Sequence, residues 1–140
     1  MLTVDSGIKY LQACGAKITS PRIAILKILE NNYDHPSAEG IFHELKPSHP
    51  TLSIATVYNT ARLLAKGSML RVLSIDERKV CFDPNTALHA HFLCRQCKKL
   101  FDVGTAFDVM SAFVSTGGVS SVEGAEAFFY GLCSKCASLH

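Results

Sequence analysis

Hydrophobic residues in the first half of the chain recur every three or four positions, between short polar or proline-containing breaks. That spacing is typical of helices that bury one face. It predicts an amphipathic segment at 6–14 and three helices, whose apolar faces carry Ile25, Leu26 and Leu29, then Ile41, Phe42 and Leu45, then Ile54, Val57, Ala61 and Leu64. Thr19 before Pro21 and Ser53 before Ile54 supply side-chain caps. We expect the last of these helices to end at Gly67.

Two β-prone segments follow that helix. Residues 69–74 and 79–82 flank the polar run 75–78, which predicts a two-stranded hairpin. Three helices and a hairpin are typical of a winged helix-turn-helix. We therefore expect a winged-helix DNA-binding domain at 1–82.

The pattern changes to that of strands after residue 83. Residues 91–95 and 100–103 predict an antiparallel pair, 106–114 a helix, and 127–132 a third strand. We expect a hinge at 83–88 and a second domain, small and of α/β type, at 89–140. The predicted fold class is α+β.

The composition is that of an ordinary folded protein, with 140 residues, 48% of them hydrophobic, 19% charged, and a formal net charge of +2. Residues 1–82 hold ten Lys or Arg against seven Asp or Glu, whereas 83–140 hold four against five. A weakly basic first half is compatible with a polyanionic partner without establishing one. No apolar run reaches membrane-spanning length and residues 1–17 lack a signal-peptide layout, so we expect a cytoplasmic protein. Six cysteines in that reducing compartment favour metal or redox chemistry over disulfides.

Four of the cysteines form two Cys-x-x-Cys pairs, Cys94 with Cys97 and Cys133 with Cys136. Four thiolates are the ligand set of a closed tetrahedral zinc site. A redox pair or reactive thiols are the alternative, but two such motifs in one chain favour structural zinc. Of the other two cysteines, Cys14 is expected to be buried and inert.

A second group of candidate ligands surrounds His89 and His91. Two residues apart on a strand, their imidazoles project from one face, whereas Cys94 has the opposite parity and points away. Asp83 and Asp102 flank them, so nitrogen and oxygen ligands are available on the histidine side and sulfur on the other. The sequence therefore predicts a hard metal site beside a soft one. A surface or capping role is expected for three other histidines, His43, His49 and His140.

The face of the last helix opposite its apolar stripe is polar. Asn and Arg side chains can read adenine and guanine edges in the major groove, and hydroxyls at a helix N-terminus favour phosphate contacts. A merely solvated surface is the alternative, and the accompanying hairpin favours DNA. The candidate DNA contacts are Ser53, Thr56, Tyr58, Asn59 and Arg62.

Taken together, these motifs resemble the ferric uptake regulator (Fur) superfamily. The resemblance rests on His-Pro-Ser-Ala-Glu at 35–39, Ser-x-Ala-Thr-Val-Tyr at 53–58, His89 and His91, and the two Cys-x-x-Cys pairs, and it covers almost the whole chain. It implies an N-terminal winged-helix domain, a C-terminal dimerisation domain, and a homodimer that binds palindromic operator DNA when its regulatory metal is bound. It also implies a non-enzymatic transcriptional repressor.

The resemblance implies a ligand set for that regulatory metal as well. The matching residues are His35, Asp83, His89, His91 and Asp102. The peroxide-sensing (PerR) branch of the family carries Asp at the positions of Asp83 and Asp102 and Asn at that of Asn59. Ferric-uptake members more often show Glu and Arg at the last two, and zinc-sensing members place Cys at the position of Asp83. The chain is therefore most similar to the peroxide-sensing branch, and its oxygen ligands favour Fe(II) or Mn(II).

Resemblance to that branch implies that Fe(II) reacts with hydrogen peroxide and oxidises a ligating histidine, His35 or His89, whereas Mn(II) fills the site without that reaction. Ferric-uptake members often build a further site where this chain has Ala90 and residues 124–125, so we expect that additional site to be absent. Cys81 shares strand parity with Asp83, which leaves a zinc-responsive regulator open beside an iron or manganese regulator.

Two other classes of protein share some of these features. A metallohydrolase needs an open coordination position and a general base, and no carboxylate here is better placed as a base than as a ligand. A purely structural zinc protein leaves the His and Asp residues unexplained. We expect no membrane partner, and no small molecule other than the metal ion and hydrogen peroxide.

Overall fold

A computed structural model describes residues 1–76, 79–104, 118, 121 and 126–139. The chain divides into two compact units, Met1–Thr86 and Ala87–His140. The division lies within the stretch 83–88, where a hinge is expected from the sequence.

Within its described residues, the first unit contains four helices, and a hydroxyl side chain caps the start of each. Their bounds are α1 Val4–Ala13, α2 Ser20–Leu29, α3 Ala38–Leu45 and α4 Ile54–Lys66. Thr19 and Ser53 cap α2 and α4 as predicted, and Gly67 ends α4. Each capping oxygen accepts a backbone N–H that the helix itself leaves unsatisfied, and such a cap contributes about 1 kcal/mol.

The predicted apolar faces build the core of this unit. Leu2 and Leu11 of the N-terminal segment join Ile25, Leu26 and Leu29 of α2 with no exposed surface. Burying side chains of this size contributes about 1.5–3 kcal/mol each. The core therefore fixes how α1 and α2 pack against the later helices.

Helix α4 follows the predicted pattern with two differences. Val57, Ala61 and Leu64 are buried, whereas Ile54 is half-buried. Thr60 is not part of the apolar pattern, yet it is fully buried. Its burial is tolerated because its hydroxyl donates to the carbonyl of Thr56 at 2.8 Å and is therefore satisfied. The polar face of α4 is thereby left at the surface.

The expectation of a buried Cys14 is wrong. This residue is the C-cap of α1 and is exposed. The chain turns there because Gly15 follows with a φ of +77°, a left-handed backbone that glycine adopts without steric cost. The Cys14 side chain bonds to that of Tyr10 and raises the pKa of the Tyr10 phenol.

The predicted hairpin is present as β1 (Arg71–Asp76) and β2 (Lys79–Asp83). The strands are antiparallel, with Arg71 opposite Asp83. Residues 77–78 of the predicted turn lie outside the described part of the chain. With α2 to α4, the hairpin completes a winged helix-turn-helix.

Strand β2 also holds the segment that precedes α3. The backbone N–H of Phe82 donates to the carbonyl of Pro36 at 2.9 Å, and Ser37 forms an isolated β-bridge with Cys81. This attachment brings His35 beside Asp83, the last residue of β2.

The described part of the second unit contains three strands and a short helix. They are β3 (Ala90–Cys94), β4 (Leu100–Val103), β5 (Phe128–Gly131) and α5 (Ser134–Ala137), and the sheet order is β4-β3-β5. The antiparallel pair β3–β4 is confirmed, and β5 lies parallel to β3 on the other side. The helix predicted at 106–114 lies outside the described residues. The α+β class is confirmed. Across the described residues, every helix is too short or too polar to cross a membrane.

Packing of α1 against the end of α4 can be tested at Gly67. A Cβ added there would lie 2.5 Å from the Tyr10 ring, so Gly67→Ala is expected to lower the free energy of unfolding by about 1–3 kcal/mol in urea titrations. Gly104→Ala is the control, because a Cβ at Gly104 meets no atom of the described residues within 4 Å. In a Tyr10→Ala background, Gly67→Ala should lower the free energy of unfolding by much less. An equally large decrease in that background would contradict a contact between residue 67 and the Tyr10 ring.

Candidate metal centres and DNA-facing helix

The four cysteines of the two Cys-x-x-Cys pairs come together in the second unit as a cluster, called here the Cys cluster. One sulfur from each of Cys94, Cys97, Cys133 and Cys136 lies within 4.8 Å of the others. The Cys97 and Cys133 sulfurs are 3.9 Å apart. Sulfurs about 2.3 Å from a tetrahedral zinc ion would be about 3.8 Å apart, whereas a disulfide would bring them to about 2.05 Å. The donor set and its spacing therefore fit zinc.

Local backbone geometry positions each half of the Cys cluster. Cys94 ends β3, and its N–H donates to the carbonyl of Lys99 at 3.0 Å across a tight turn in which Lys98 has a φ of +61°. The parallel pairing of β3 with β5 places Gly131 opposite Cys94. Two residues later, Cys133 is the N-cap of α5, and its N–H donates to the Cys94 sulfur at 3.4 Å.

Thiol pKa values in the Cys cluster differ widely. Hydrogen bonds from the backbone N–H groups of Cys133 and Cys97 lower the pKa of Cys94 to about 6. Burial, and after it hydrogen bonds that the Cys136 thiol makes to the neighbouring cysteines, raise the pKa of Cys136 to about 12. Backbone N–H groups thus favour the thiolate at Cys94, and a bound cation would supply the same stabilisation to the others.

A second group of ligands in this unit is the His-His-Asp cluster, formed by His89, His91 and Asp102. His91 lies opposite Asp102 in the β3–β4 register and is 2% exposed. The two Nε2 atoms are 3.0 Å apart, and each approaches Asp102 Oδ1, at 3.2 Å from His89 and 3.5 Å from His91. Atoms bound about 2.1 Å from one ion are about 3.0 Å apart on an octahedron and about 3.4 Å on a tetrahedron. The spacing suits a shared metal ion.

The tautomer of His89 also suits metal binding. Its Nδ1 lies 2.7 Å from the carbonyl oxygen of Ala87, and a carbonyl only accepts, so Nδ1 carries a proton. In the neutral ring the lone pair is then on Nε2, the atom that faces His91 and Asp102. The carbonyl of Ala87 therefore fixes the orientation of the His89 ring.

The first unit holds a buried His-Asp pair, His35 and Asp83. Their Nε2 and Oδ2 atoms are 3.6 Å apart, and the side chains are 2% and 0% exposed. The N–H of Asn85 donates to Asp83 Oδ1 at 2.8 Å. His35 has a φ of +54°, a left-handed backbone that is uncommon for residues other than glycine and costs about 1 kcal/mol or more. Nitrogen and carboxylate donors in this pair are of the types that iron and manganese accept.

The predicted DNA-facing residues lie on α4 and its cap, and several are already engaged. Ser53 Oγ accepts from the N–H of Thr56 at 3.2 Å, and the two hydroxyls are 3.0 Å apart. Tyr58 donates to Glu39 Oε1 at 3.0 Å, and its partial burial and this bond raise its pKa. The Arg62 guanidinium carbon Cζ lies over the Tyr58 ring, 5.7 Å from its centroid.

Asn59 and Arg62 are exposed, and Asn59 accepts a hydrogen bond from Arg22 at 2.8 Å. Beside the start of α4 lies a cleft of about 400 Å³ whose lining includes Lys17, Arg22 and Thr56. Two cations and hydroxyl groups at a helix start form a surface suited to phosphate.

The structure thus places every candidate ligand named from the sequence in a cluster. It brings together the four cysteines, the His-His-Asp cluster, and the His-Asp pair. His43 is exposed as predicted, whereas His140 lies outside the described residues. Three residues that bond to these side chains were not found from the sequence: Ala87 bonds to His89, Glu39 to Tyr58, and Arg22 to Asn59. A backbone carbonyl or a contact between side chains distant in sequence leaves no pattern in the sequence.

Comparisons with known proteins agree on one family. The sequence model of the ferric uptake regulator family matches residues 13–115. The peroxide-responsive repressor PerR of Staphylococcus aureus (strain USA300) is 35% identical over 99 residues, which cover 71% of this chain and 67% of that protein. Among solved structures, the Helicobacter pylori ferric uptake regulator Fur has a TM-score of 0.78 at 19% identity, covering 96% of this chain and 94% of that one. The Francisella tularensis ferric uptake regulator with iron has a TM-score of 0.71 at 26% identity, covering 88% and 96%.

The Cys cluster generates a direct prediction. Cys133→Ser should abolish stoichiometric zinc binding and unfold the second unit, because structural zinc sites supply on the order of 10 kcal/mol of folding free energy. The first unit should keep its helical signal. Zinc content and urea unfolding of each unit are the measurements.

Cys14→Ser is the matched control, since Cys14 is exposed and far from the cluster in sequence. It should keep both zinc and stability. A Cys133→Ser protein that is fully folded without zinc would show that the cysteines serve another purpose.

Proposed function

The chain belongs to the ferric uptake regulator family, and from that premise we propose that it is a metal-dependent transcriptional repressor that binds palindromic operator DNA as a homodimer. Members of the family are transcriptional regulators, so the metallohydrolase alternative is set aside. The observation that carries the proposal is the presence of two chemically distinct ligand sets, one of sulfur only and one of nitrogen and oxygen. A structural protein would need the first set alone.

We assign the domains with the bounds expected from the sequence. Residues 1–82 form the DNA-binding domain, 83–88 the hinge, and 89–140 the dimerisation and metal-binding domain. The exposed Asn59 and Arg62 on α4 support the first assignment. On β5, Phe129 and Tyr130 are 48% and 50% exposed, which leaves apolar surface for a second copy to cover.

We assign structural Zn(II) to the Cys cluster and regulatory Fe(II) or Mn(II) to His35, Asp83, His89, His91 and Asp102. The His-His-Asp cluster alone would leave several positions of an octahedral ion open. The His-Asp pair supplies two more donors of the right type, both held in place by the attachment of β2 to the segment before α3. Five protein ligands would leave one position for a small molecule. The relative from Francisella tularensis is described with iron, which agrees with this choice of metal.

The proposed control of DNA binding follows from where the ligands lie in the chain. His35 and Asp83 belong to the first unit, and His89, His91 and Asp102 to the second. Holding one ion in common restricts the motion of one unit against the other. In a homodimer that restriction fixes the separation of the two α4 helices, and only a matching separation fits two half-sites of an operator.

We further propose that the protein senses hydrogen peroxide, as the similarity to PerR of Staphylococcus aureus suggests. Bound Fe(II) would supply the redox chemistry that splits the O–O bond. On His35 or His89 a ring C–H bond is replaced by a carbon–oxygen bond, the ring gives up two electrons, and the second peroxide oxygen leaves as water. The altered ring is a poorer ligand, so the restraint between the units is lost.

The alternative within the family is a regulator of iron, manganese or zinc supply without peroxide chemistry. Cys81 keeps the zinc version open, because it is half-buried on β2 two residues before Asp83. If the protein is a zinc regulator, Cys81→Ser should remove its zinc response, whereas the proposed function predicts an unchanged Mn(II) response.

His35 provides the test of the shared site. His35→Ala should weaken Mn(II)-dependent operator binding by on the order of 10- to 100-fold, because one of five ligands is lost. Zinc content and the dimer should remain, as measured by metal analysis and sedimentation. The operator is first selected from random DNA with wild-type protein.

The control is His43→Ala, which removes an exposed imidazole from α3. This variant should bind the operator with the affinity of the wild-type protein. Unchanged operator affinity in His35→Ala would rule out a regulatory ion that depends on this residue.

Peroxide sensing is tested on iron-loaded protein. Treatment with hydrogen peroxide should add one oxygen atom to the peptide containing His35 or His89, as detected by mass spectrometry, and operator binding should fall in parallel. Mn(II)-loaded protein under the same treatment should gain none. If neither peptide gains oxygen with iron, the protein is a metal regulator rather than a peroxide sensor.

A further inference from the structure

Asn59 is exposed on α4, yet its side chain accepts a hydrogen bond from Arg22. Arg22 Nη2 donates to Asn59 Oδ1 at 2.8 Å, and Arg22 Nη1 donates to the carbonyl of Lys17 at 2.7 Å. A guanidinium group is planar, so two bonds at its two ends fix its orientation. Arg22 therefore connects the segment before α2, helix α2 and helix α4.

The chemistry of the guanidinium also fixes which end of the Asn59 amide faces it. Arginine has donors and no acceptor, so the atom that approaches Nη2 must be the carbonyl oxygen of Asn59. The NH₂ group is then at the other end of the amide, directed away from Arg22. Asn59 is presented to a ligand as a hydrogen-bond donor.

We propose that Arg22 is a positioning residue for sequence recognition, which holds the Asn59 NH₂ group toward the edges of the bases. The inference rests on the proposed function, in which α4 enters the major groove. Bases that present acceptors there are guanine through O6 and N7, adenine through N7 and thymine through O4, whereas cytosine presents a donor. The held amide discriminates against cytosine at one position of each half-site.

A phosphate contact is the competing role for Arg22, because it lines the cleft with Lys17 and Thr56. The two roles give different results on substitution. A phosphate contact acts on every DNA sequence alike and contributes to the salt dependence of binding. A positioning role acts at one base pair and acts only through Asn59. Arg22→Lys separates them, because it keeps the charge and loses the planar pair of donors.

The first test needs no DNA. In the ¹⁵N-labelled full chain, NMR relaxation of the side-chain amide groups should show Asn59 more restricted than the exposed Asn31. Arg22→Lys should raise the mobility of Asn59 to that of Asn31, whereas Lys27→Gln, which removes a charge from the exposed side of α2, should not. An Asn59 amide that is already as mobile as Asn31 in the wild-type protein would overturn the proposal.

The second test uses the operator and all single-base variants of one half-site. Arg22→Lys should reduce discrimination roughly tenfold at the one position that Asn59→Ala also relaxes, with the salt dependence unchanged. In an Asn59→Ala background, Arg22→Lys should have no further effect on discrimination. A uniform loss over all sequences, or a loss that persists without Asn59, would assign Arg22 to the phosphates instead.

The two tests also separate this inference from the proposed function. If wild-type protein binds no DNA selectively in any metal state, the proposed function fails and base reading fails with it. If metal-dependent binding is selective but indifferent to Asn59, the proposed function stands and the role of Arg22 is overturned.

Discussion

Strand β3 is the element on which both kinds of ligand cluster depend. Successive side chains of a strand point to opposite faces, so His91 and Cys94, three residues apart, lie on different sides. Each edge of the strand is hydrogen-bonded to a neighbouring strand that brings further ligands into place. Strand β4 sets Asp102 opposite His91, and β5 sets Gly131 opposite Cys94, just before Cys133. The alternation keeps thiolates away from the nitrogen and oxygen donors, so a soft and a hard ion need not compete for one site.

The distribution of ligands between the units differs for the two donor types, and it fits the proposed division into a structural and a regulatory site. All four sulfurs belong to the second unit, so this cluster can be filled whatever the first unit does, which suits a structural site. The nitrogen and oxygen donors are divided, with His35 and Asp83 in one unit and the other three in its neighbour. Binding of a proposed ion that needs donors from both units depends on the arrangement of each unit. That dependence is what a regulator requires, and a structural site avoids it.

Local signals in the sequence predicted most of the fold. Hydroxyl caps at Thr19 and Ser53 and the closing Gly67 gave helix bounds that the structure confirms, because each acts within one turn. The parallel pairing of β5 with β3 was not predicted, since it depends on contacts between distant segments. Cys14 was misjudged because cysteines are often buried, while the turn at Gly15 decides its exposure. The bond between Arg22 and Asn59 depends on side-chain rotamers across two helices, which periodicity does not encode.

His35 entered the ligand set only through its resemblance to a family motif, and its backbone shows why it is unusual. A φ of +54° is reached freely by glycine and at least cost by asparagine, aspartate and histidine. Three of those four carry a side chain that can bind a metal, by nitrogen or by oxygen. The turn therefore restricts this position to a short list of residues that still includes both nitrogen and oxygen donors. A single substitution within that list would shift the metal preference of a descendant protein, while the backbone that carries it stayed as it is.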